Sequence, residues 1–274
     1  MFLHKWDAPI APSQRTAESW EKIGWHRKKL FVVPNWIDFT QFKPYENMVI
    51  IRKKLGLSAN AKIVLYVGRI VPEKGIEVLI RAFSKVAKDN SNVVLVLVGG
   101  VEHQYSLTLK KYYKELGLSS KQVIEVGITN KPENYFTAAD IAVVPSIWDE
   151  PFGLSLLEAM ACGTLSLVSS FGELPYIIGS ENQDLVLPAG DIDALANSLI
   201  YWLSRPDKSQ ERGYKLYERA VKKFGHSDKV DVYEKIMLDA SYQKQSAGRS
   251  GLNGKDSNPD WRTPLHGSPS AKRG

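Results

Sequence analysis

Cysteine is nearly absent: the 274-residue chain carries one, Cys162, so no disulfide can form within it. Long apolar runs are missing too. The longest, Asn92 to Val101, is far short of the ~20 residues that cross a bilayer. The opening MFLHKWDAPIAP has no signal-peptide apolar segment. The expectation is a cytoplasmic chain with no transmembrane segment, peripheral contact with a membrane being left open. G-x-S-x-G and Walker A patterns are absent, which weighs against hydrolase and ATPase readings. The five histidines form no H-x-x-x-H or His/Cys spacing, so no metal site is expected. Cys162 itself ends the apolar stretch EAMACG just before Gly163, the place of a small packing residue at a helix end.

A strong basic stripe is lacking as well. The formal charge is +6, but +4 lies from Gln243 onward and +3 from Met1 to Pro34, leaving about −1 for the 208 residues between. A surface that tracks phosphates needs its cations on the folded body, so nucleic acid is not an expected partner.

What the chain does have is an alternation of short β-branched runs and longer amphipathic segments from Ala61 to Tyr242, the pattern of a parallel α/β sheet. Strands are predicted at 63–67, 93–98, 123–126, 141–144, 165–168 and 185–187. Most are continuously apolar, as strands covered on both faces should be. Helices are predicted at 76–88, 105–116, 132–138, 154–161, 175–178 and 192–203, with two more at 210–223 and 228–238. Ile76, Leu79, Ile80, Phe83 and Ala87 form a helical stripe. From 243 to 274 the sequence turns to Gly, Ser, Pro and Lys, and a disordered tail is expected.

Two strand-to-helix junctions carry candidate chemistry. In the first, Val67 to Gly75 (VGRIVPEKG), Gly68 permits close backbone approach, and Arg69 and Lys74 offer two cations suited to a diphosphate. An ordinary turn with solvated charges is the plainer alternative. In the second, Asp149 to Gly163 (DEPFGLSLLEAMACG), the amides of Phe152, Gly153 and Leu154 open a helix at the sheet's carboxyl edge, an anion site in waiting. Glu150 precedes it at the mouth of the pocket. Glu158, eight residues on, shares a helix face with Leu154 that should point inward. A lone buried carboxylate is costly unless paired. A ribose cis-diol would satisfy it, and so would a Lys or Arg from a neighbouring element. Asp191-Ile192-Asp193 resembles a D-x-D metal motif, yet it opens a helix, where Asp191 serves as N-cap and Asp193 as a first-turn acid.

VGRIVPEKG followed about eighty residues later by EPFGLSLLE resembles the retaining glycosyltransferases of family 4, whose E-x7-E motif matches Glu150 and Glu158. The similarity runs from about Ser13 to Ile236 and includes VVPNWID, like that family's interdomain linker, and LPAGDIDALANSL. The resemblance implies a Rossmann-like, doubly wound parallel sheet of about six strands, one half of a GT-B fold, followed by C-terminal helices. It divides the chain into 1–34, a remnant of the N-terminal domain's last helix; 35–60, the linker; 61–242, the nucleotide-sugar-binding domain; and the tail. Most of the acceptor-binding half is then expected to be absent, with a separately encoded N-terminal domain as a conceivable partner.

By the same resemblance, Arg69 and Lys74 hold the diphosphate of a UDP-, GDP- or ADP-sugar donor and stabilise its departure, with Gly68 beside them. Glu158 binds the ribose hydroxyls, Glu150 contacts the donor sugar, and the 152–154 amides touch sugar or phosphate. No cofactor is implied beyond the donor, and the acceptor is not specified. Trp36 stands where the pattern often has glycine, and Glu173 and Tyr176 where a second glycine and a glutamate are common. A non-catalytic nucleotide-sugar-binding module and a hydrolase or epimerase acting on the same donors are the competing readings.

Overall fold

A computed structural model describes residues 8–45, 47–225 and 227–249 of the chain. A short parallel pair comes first, β1 (Ile10–Ala11) with β2 (Phe31–Val32), joined by α1 (Gln14–Lys22). Ser13 caps α1 by accepting from the Thr16 amide. After an extended stretch comes α2 (Met48–Lys54), and then the main sheet begins.

Strand β3 (Lys62–Val67) leads through α3 (Ile76–Asp89) to β4 (Val93–Val98), and α4 (His103–Glu115) leads on to β5 (Val123–Gly127). The chain then crosses back by α5 (Pro132–Ala138) to β6 (Ile141–Val144). From there α6 (Leu154–Ala161) joins β7 (Leu165–Ser169), and α7 (Leu174–Ile178) precedes the edge strand β8 (Val186–Leu187). Helices α8 (Ile192–Leu203), α9 (Pro206–Phe224) and α10 (Ser227–Arg249) follow.

All six strands of the main sheet are parallel, in the order β5-β4-β3-β6-β7-β8. The chain enters at β3, builds outward one way, returns, and builds outward the other way from β6. Right-handed crossovers therefore set α3 and α4 on one face and α5, α6 and α7 on the other. Helix α8 packs on α3 and α9 on α6, closing both layers. The covered strands are mostly apolar, with Ile63, Leu65, Leu95 and Leu97 fully buried, and β7 adds two buried serines, Ser166 and Ser169. Order reverses between β3 and β6, and in an open parallel sheet the loops that leave the carboxyl ends of the strands at such a switch point are where ligands gather.

The fold is the α/β doubly wound sheet the sequence predicts, with several local differences. Helix α2 was not predicted, because MVIIRKK is too short to display a period; what holds it is Arg52. That guanidinium is 4% exposed and donates to the carbonyls of Ala59, Ala61 and Ala138 and to Asp140 Oδ2, at 2.8–2.9 Å. Asp140 Oδ2 also accepts from the Ile63 amide at 2.6 Å, so one residue ties α2 to two strands. Helix α9 starts four residues before the predicted position, with Pro206 in its first turn, where a missing N–H costs nothing.

The expected disordered tail is corrected at its start. Helix α10 runs on to Arg249, because the Gln, Lys, Ala and Arg of QKQSAGR extend a helix readily although their polarity suggests a tail. Residues 250–274 lie outside the described residues. No described helix is long and apolar enough to cross a membrane.

Replacing Arg52 with Met should destabilise the chain by about 3–5 kcal/mol, since three carbonyls lose a donor and Asp140 loses its cation, keeping only the Ile63 amide. Urea unfolding of the two proteins measures it. A loss below about 1 kcal/mol would mean that water replaces the guanidinium without cost.

Candidate functional site

The loop after β3 turns through a 3-10 segment, Pro72–Lys74, and ends at Gly75 with φ 71°. A Cβ at Gly75 would lie 2.0 Å from the Pro145 carbonyl oxygen, so only glycine lets this loop press against the end of β6. The contact delivers Lys74 to the loop that β6 carries. Its Nζ lies 2.5 Å from Glu150 Oε1 and 5.2 Å from the centroid of the Trp148 ring. Ser146, itself buried, donates its hydroxyl to the same Glu150 oxygen at 2.5 Å. A third loop closes on the pair from β7. Gly172, φ 63°, lies flat against Glu150, where a Cβ would meet backbone atoms at 2.3–2.8 Å, and the Glu173 amide donates to the Glu150 carbonyl at 3.1 Å.

Glu150 is therefore not at the mouth of the pocket, as the sequence suggested, but 6% exposed. Burying a carboxylate costs several kcal/mol, which an ammonium and a hydroxyl on one oxygen offset. Among the described residues, its Oε2 has no hydrogen-bond partner. The sequence brought Lys74 and Glu150 to the carboxyl edge of the sheet separately; their pairing was not legible, because it depends on β3 and β6 being neighbours. Ser146, Trp148 and Tyr66 were missed. The Tyr66 hydroxyl donates to the Arg69 carbonyl at 2.7 Å, and burial, with the Glu150 charge adding to it, raises its pKa above the usual tyrosine value. Arg69 leaves this fixed backbone with its side chain exposed and makes no ion pair among the described residues. Gly68, which precedes it, bonds through its amide to the Val98 carbonyl at 2.9 Å.

Beyond Glu150 the chain enters α6. Phe152 is buried, its ring edge-on to Phe224 at 5.9 Å, so only its backbone is offered to a ligand. Among the described residues, the amides of Phe152, Gly153 and Leu154 donate to no protein acceptor, leaving three donors at the start of a helix.

Glu158 does share a face with Leu154, but that face is corrected from inward to outward: Leu154 is 47% exposed. The core side of α6 is carried by Leu156, Leu157, Ala159, Met160 and Ala161, and in LSLLEAMA, apolar almost all round, the sequence did not identify which side that is. Glu158 is half-buried and has no ion pair or hydrogen bond to a side chain among the described residues. Burial, with a smaller push from the Glu133 carboxylate, raises its pKa from 4.5 to about 7.

The remaining candidates are accounted for structurally. Asp191 caps α8 by accepting from the Ala194 amide at 2.9 Å, and Asp193 pairs with Lys85. Cys162 is buried at the end of α6, which pushes its thiol up to about 12 and keeps it protonated at neutral pH. Among the described residues no group of three or more acids, histidines or cysteines could hold a metal ion.

The parallel six-stranded sheet, with its order reversing between β3 and β6, defines a doubly wound α/β domain, and comparison with known proteins makes the class specific. Residues 48–220 match the family of glycosyl transferases group 1, and the chain belongs to that family. It is 32% identical over 216 residues to an uncharacterized glycosyltransferase of Methanocaldococcus jannaschii, covering 77% of this chain and 51% of the relative. It is 30% identical over 225 residues to the alpha-maltose-1-phosphate synthase of Mycolicibacterium smegmatis, covering 76% and 57%. The chain spans about half the length of the curated relatives it matches. Among solved structures, sucrose-phosphate synthase from Thermosynechococcus elongatus superposes with a TM-score of 0.71 at 30% identity, over 90% of this chain and 60% of that one. Anabaena HepE in complex with UDP-glucose superposes with 0.77 at 23% identity, over 88% and 65%. The second likeness supports the fold, the Rossmann-like half of a GT-B enzyme.

The raised pKa of Glu158 means that the folded chain holds this proton more tightly than the unfolded chain does. Its contribution to stability is best below the unfolded value of 4.5 and is lost as pH rises to about 7. Glu158→Gln removes that dependence, so the variant should gain about 2 kcal/mol relative to the parent between pH 5 and pH 8. Urea midpoints at the two pH values test this, and an equal difference at both would mean that Glu158 ionises as it does in water.

Proposed function

We propose that this domain binds a nucleoside diphosphate sugar at the switch point of the sheet and supports transfer of the sugar to an acceptor with retention of anomeric configuration. The observation that carries the reading is the half-buried Glu158 carboxylate, which among the described residues has no side-chain partner and lies one helical turn from the three amides that open α6. Its two oxygens accept from the ribose cis-diol, which returns the charge to a hydrogen-bonded state. Arg69, exposed and uncommitted, approaches the diphosphate from the rim, and Lys74 contributes its remaining N–H donors. The 152–154 amides receive sugar or phosphate oxygens, with Gly68 leaving room for the backbone approach. Glu150 Oε2 faces the donor sugar.

In transfer, the bond between the anomeric carbon and the phosphate oxygen breaks with its electron pair going to the diphosphate. The acceptor hydroxyl bonds to the anomeric carbon from the same face, and its proton passes to the departing phosphate oxygen. The negative charge that builds on the leaving group is stabilised by fixed cations and amides, without a divalent metal. Glu150 stabilises the positive charge on the sugar ring electrostatically. Polysaccharide or glycoconjugate synthesis is the proposed setting. The acceptor wall belongs to a GT-B N-terminal domain, and without it the advantage of proximity, ~7–11 kcal/mol at most, is forfeited, so the 274 residues alone should transfer very slowly.

UDP-, GDP- and ADP-sugars are to be screened by thermal stabilisation, and the best then titrated calorimetrically with and without EDTA. Binding should survive the chelator; its abolition would overturn the metal-free assignment. Glu158→Ala should weaken nucleoside diphosphate and nucleotide sugar alike, each lost hydrogen bond to the carboxylate being worth about 1.5–3 kcal/mol. Glu150→Ala releases Lys74, so affinity for the bare diphosphate should hold or rise while affinity for the sugar form falls. Equal losses for both ligands in the Glu150 variant would remove Glu150 from the sugar.

A further inference from the structure

We propose that the first turn of α1 is a clamp on the Glu150 loop, and that Glu173 is the positioning residue through which the clamp acts. The inference rests on the reading of Glu150 as the group that faces the donor sugar. Two consecutive residues of α1 reach three points around Glu150. The Arg15 amide donates to Glu173 Oε1 at 3.2 Å, the Thr16 hydroxyl donates to the Pro151 carbonyl at 3.1 Å, and Arg15 Nε donates to Asp149 Oδ1 at 2.8 Å. The residues on both sides of Glu150 are thus held from α1.

The three contacts do not weigh equally. Both side chains of the Arg15–Asp149 pair are more than half exposed, at 54% and 59%, and such a pair contributes little. Glu173 is 7% exposed. Its carboxylate meets an amide in the first turn of a helix, where the dipole favours negative charge. If α1 moves away, the carboxylate is left buried without that donor and has to swing out to water. Glu173 cannot do so alone. Its own amide is bonded to the Glu150 carbonyl at 3.1 Å, and neighbouring Gly172 lies flat on the Glu150 backbone. Displacement of α1 therefore moves the backbone from which the Glu150 carboxylate reaches Lys74 and Ser146.

The test compares the full chain with Glu173→Ala, Glu173→Gln and Thr16→Val by amide hydrogen exchange, and by calorimetric titration with UDP and with UDP-glucose. In Glu173→Ala, exchange should accelerate in peptides covering 14–20 and also 147–153, with UDP-glucose affinity falling about tenfold and UDP affinity changing less than about twofold. Glu173→Gln retains an oxygen that accepts from Arg15 and should restore both readouts. Thr16→Val, which removes the second grip without touching the β7 loop, should give the same pattern at smaller size, and it decides the matter if Glu173→Ala does not fold. Faster exchange in α1 with 147–153 unchanged would overturn the clamp, as would equal losses of UDP and UDP-glucose. If the parent chain binds neither ligand, the donor reading fails, while the exchange pattern still judges the clamp.

Discussion

A carboxylate taken out of water where three loops of the parallel sheet meet sets the terms for the rest of this molecule. Glu150 is tolerable there only because Lys74 and Ser146 converge on one of its oxygens. Each arrives from the end of a strand, Lys74 from β3 and Ser146 from β6, and a third strand, β7, supplies the Gly172–Glu173 turn that lies against the Glu150 backbone. Three loops from three parallel strands thus share one electrostatic requirement. The tight glycine contacts follow from it: Gly75 on Pro145 and Gly172 on Glu150 are places where a side chain would force the loops apart and leave the charge alone.

The two glutamates of the second junction sit in opposite circumstances although one short segment carries both. Glu150 is buried and compensated by its own protein. Glu158 is half-buried and uncompensated, with Glu133 adding to its discomfort. A protein gains nothing in stability from the second arrangement. The proposed hydroxyl partner rests on that contrast: a half-buried carboxylate that, among the described residues, has no side-chain partner, one turn from the amides that open α6. The same contrast separates the cations, since Lys74 is engaged within the chain and Arg69 extends from a backbone that Tyr66 holds.

Much of the fold was legible because its signals are local. Val93–Val98 and Ile141–Val144 are continuous apolar runs, Ile76–Asp89 displays a 3.6-residue stripe, and Asp191 announces the start of α8 by its capping chemistry. The candidate site was half legible. The residue types at each junction could be read, but which junctions face each other is a matter of strand order, so the Lys74–Glu150 pair and the role of Ser146 stayed hidden. The misjudged face of α6 has another cause: a helix apolar nearly all round has no preferred side until its neighbours are placed. The stretch of α10 from 243 to 249 was assigned to the tail because polarity was read as disorder, when Gln, Lys and Ala favour a helix. Glu173 could be flagged as unusual from the sequence, yet its partner, an amide 158 positions away, could not.

The narrow passage between the β1–α1–β2 unit and the main sheet has a mechanical meaning. Val33 is still bonded to Ala11 at 3.0 Å, and Ile37 is already bonded to Phe224 at 3.3 Å. Three residues lie between them, Pro34, Asn35 and Trp36, a tether of ~11 Å at full stretch. Proline fixes one of its dihedrals, and Trp36 rests edge-on against Tyr233 of α10 at 6.1 Å, so even this span is not slack. A joint so short permits swivelling and forbids sliding. Any displacement of the unit that carries α1 would therefore be a rotation about Pro34–Trp36, and the bonds from Arg15 and Thr16 to the Glu150 loop are the contacts such a rotation would load.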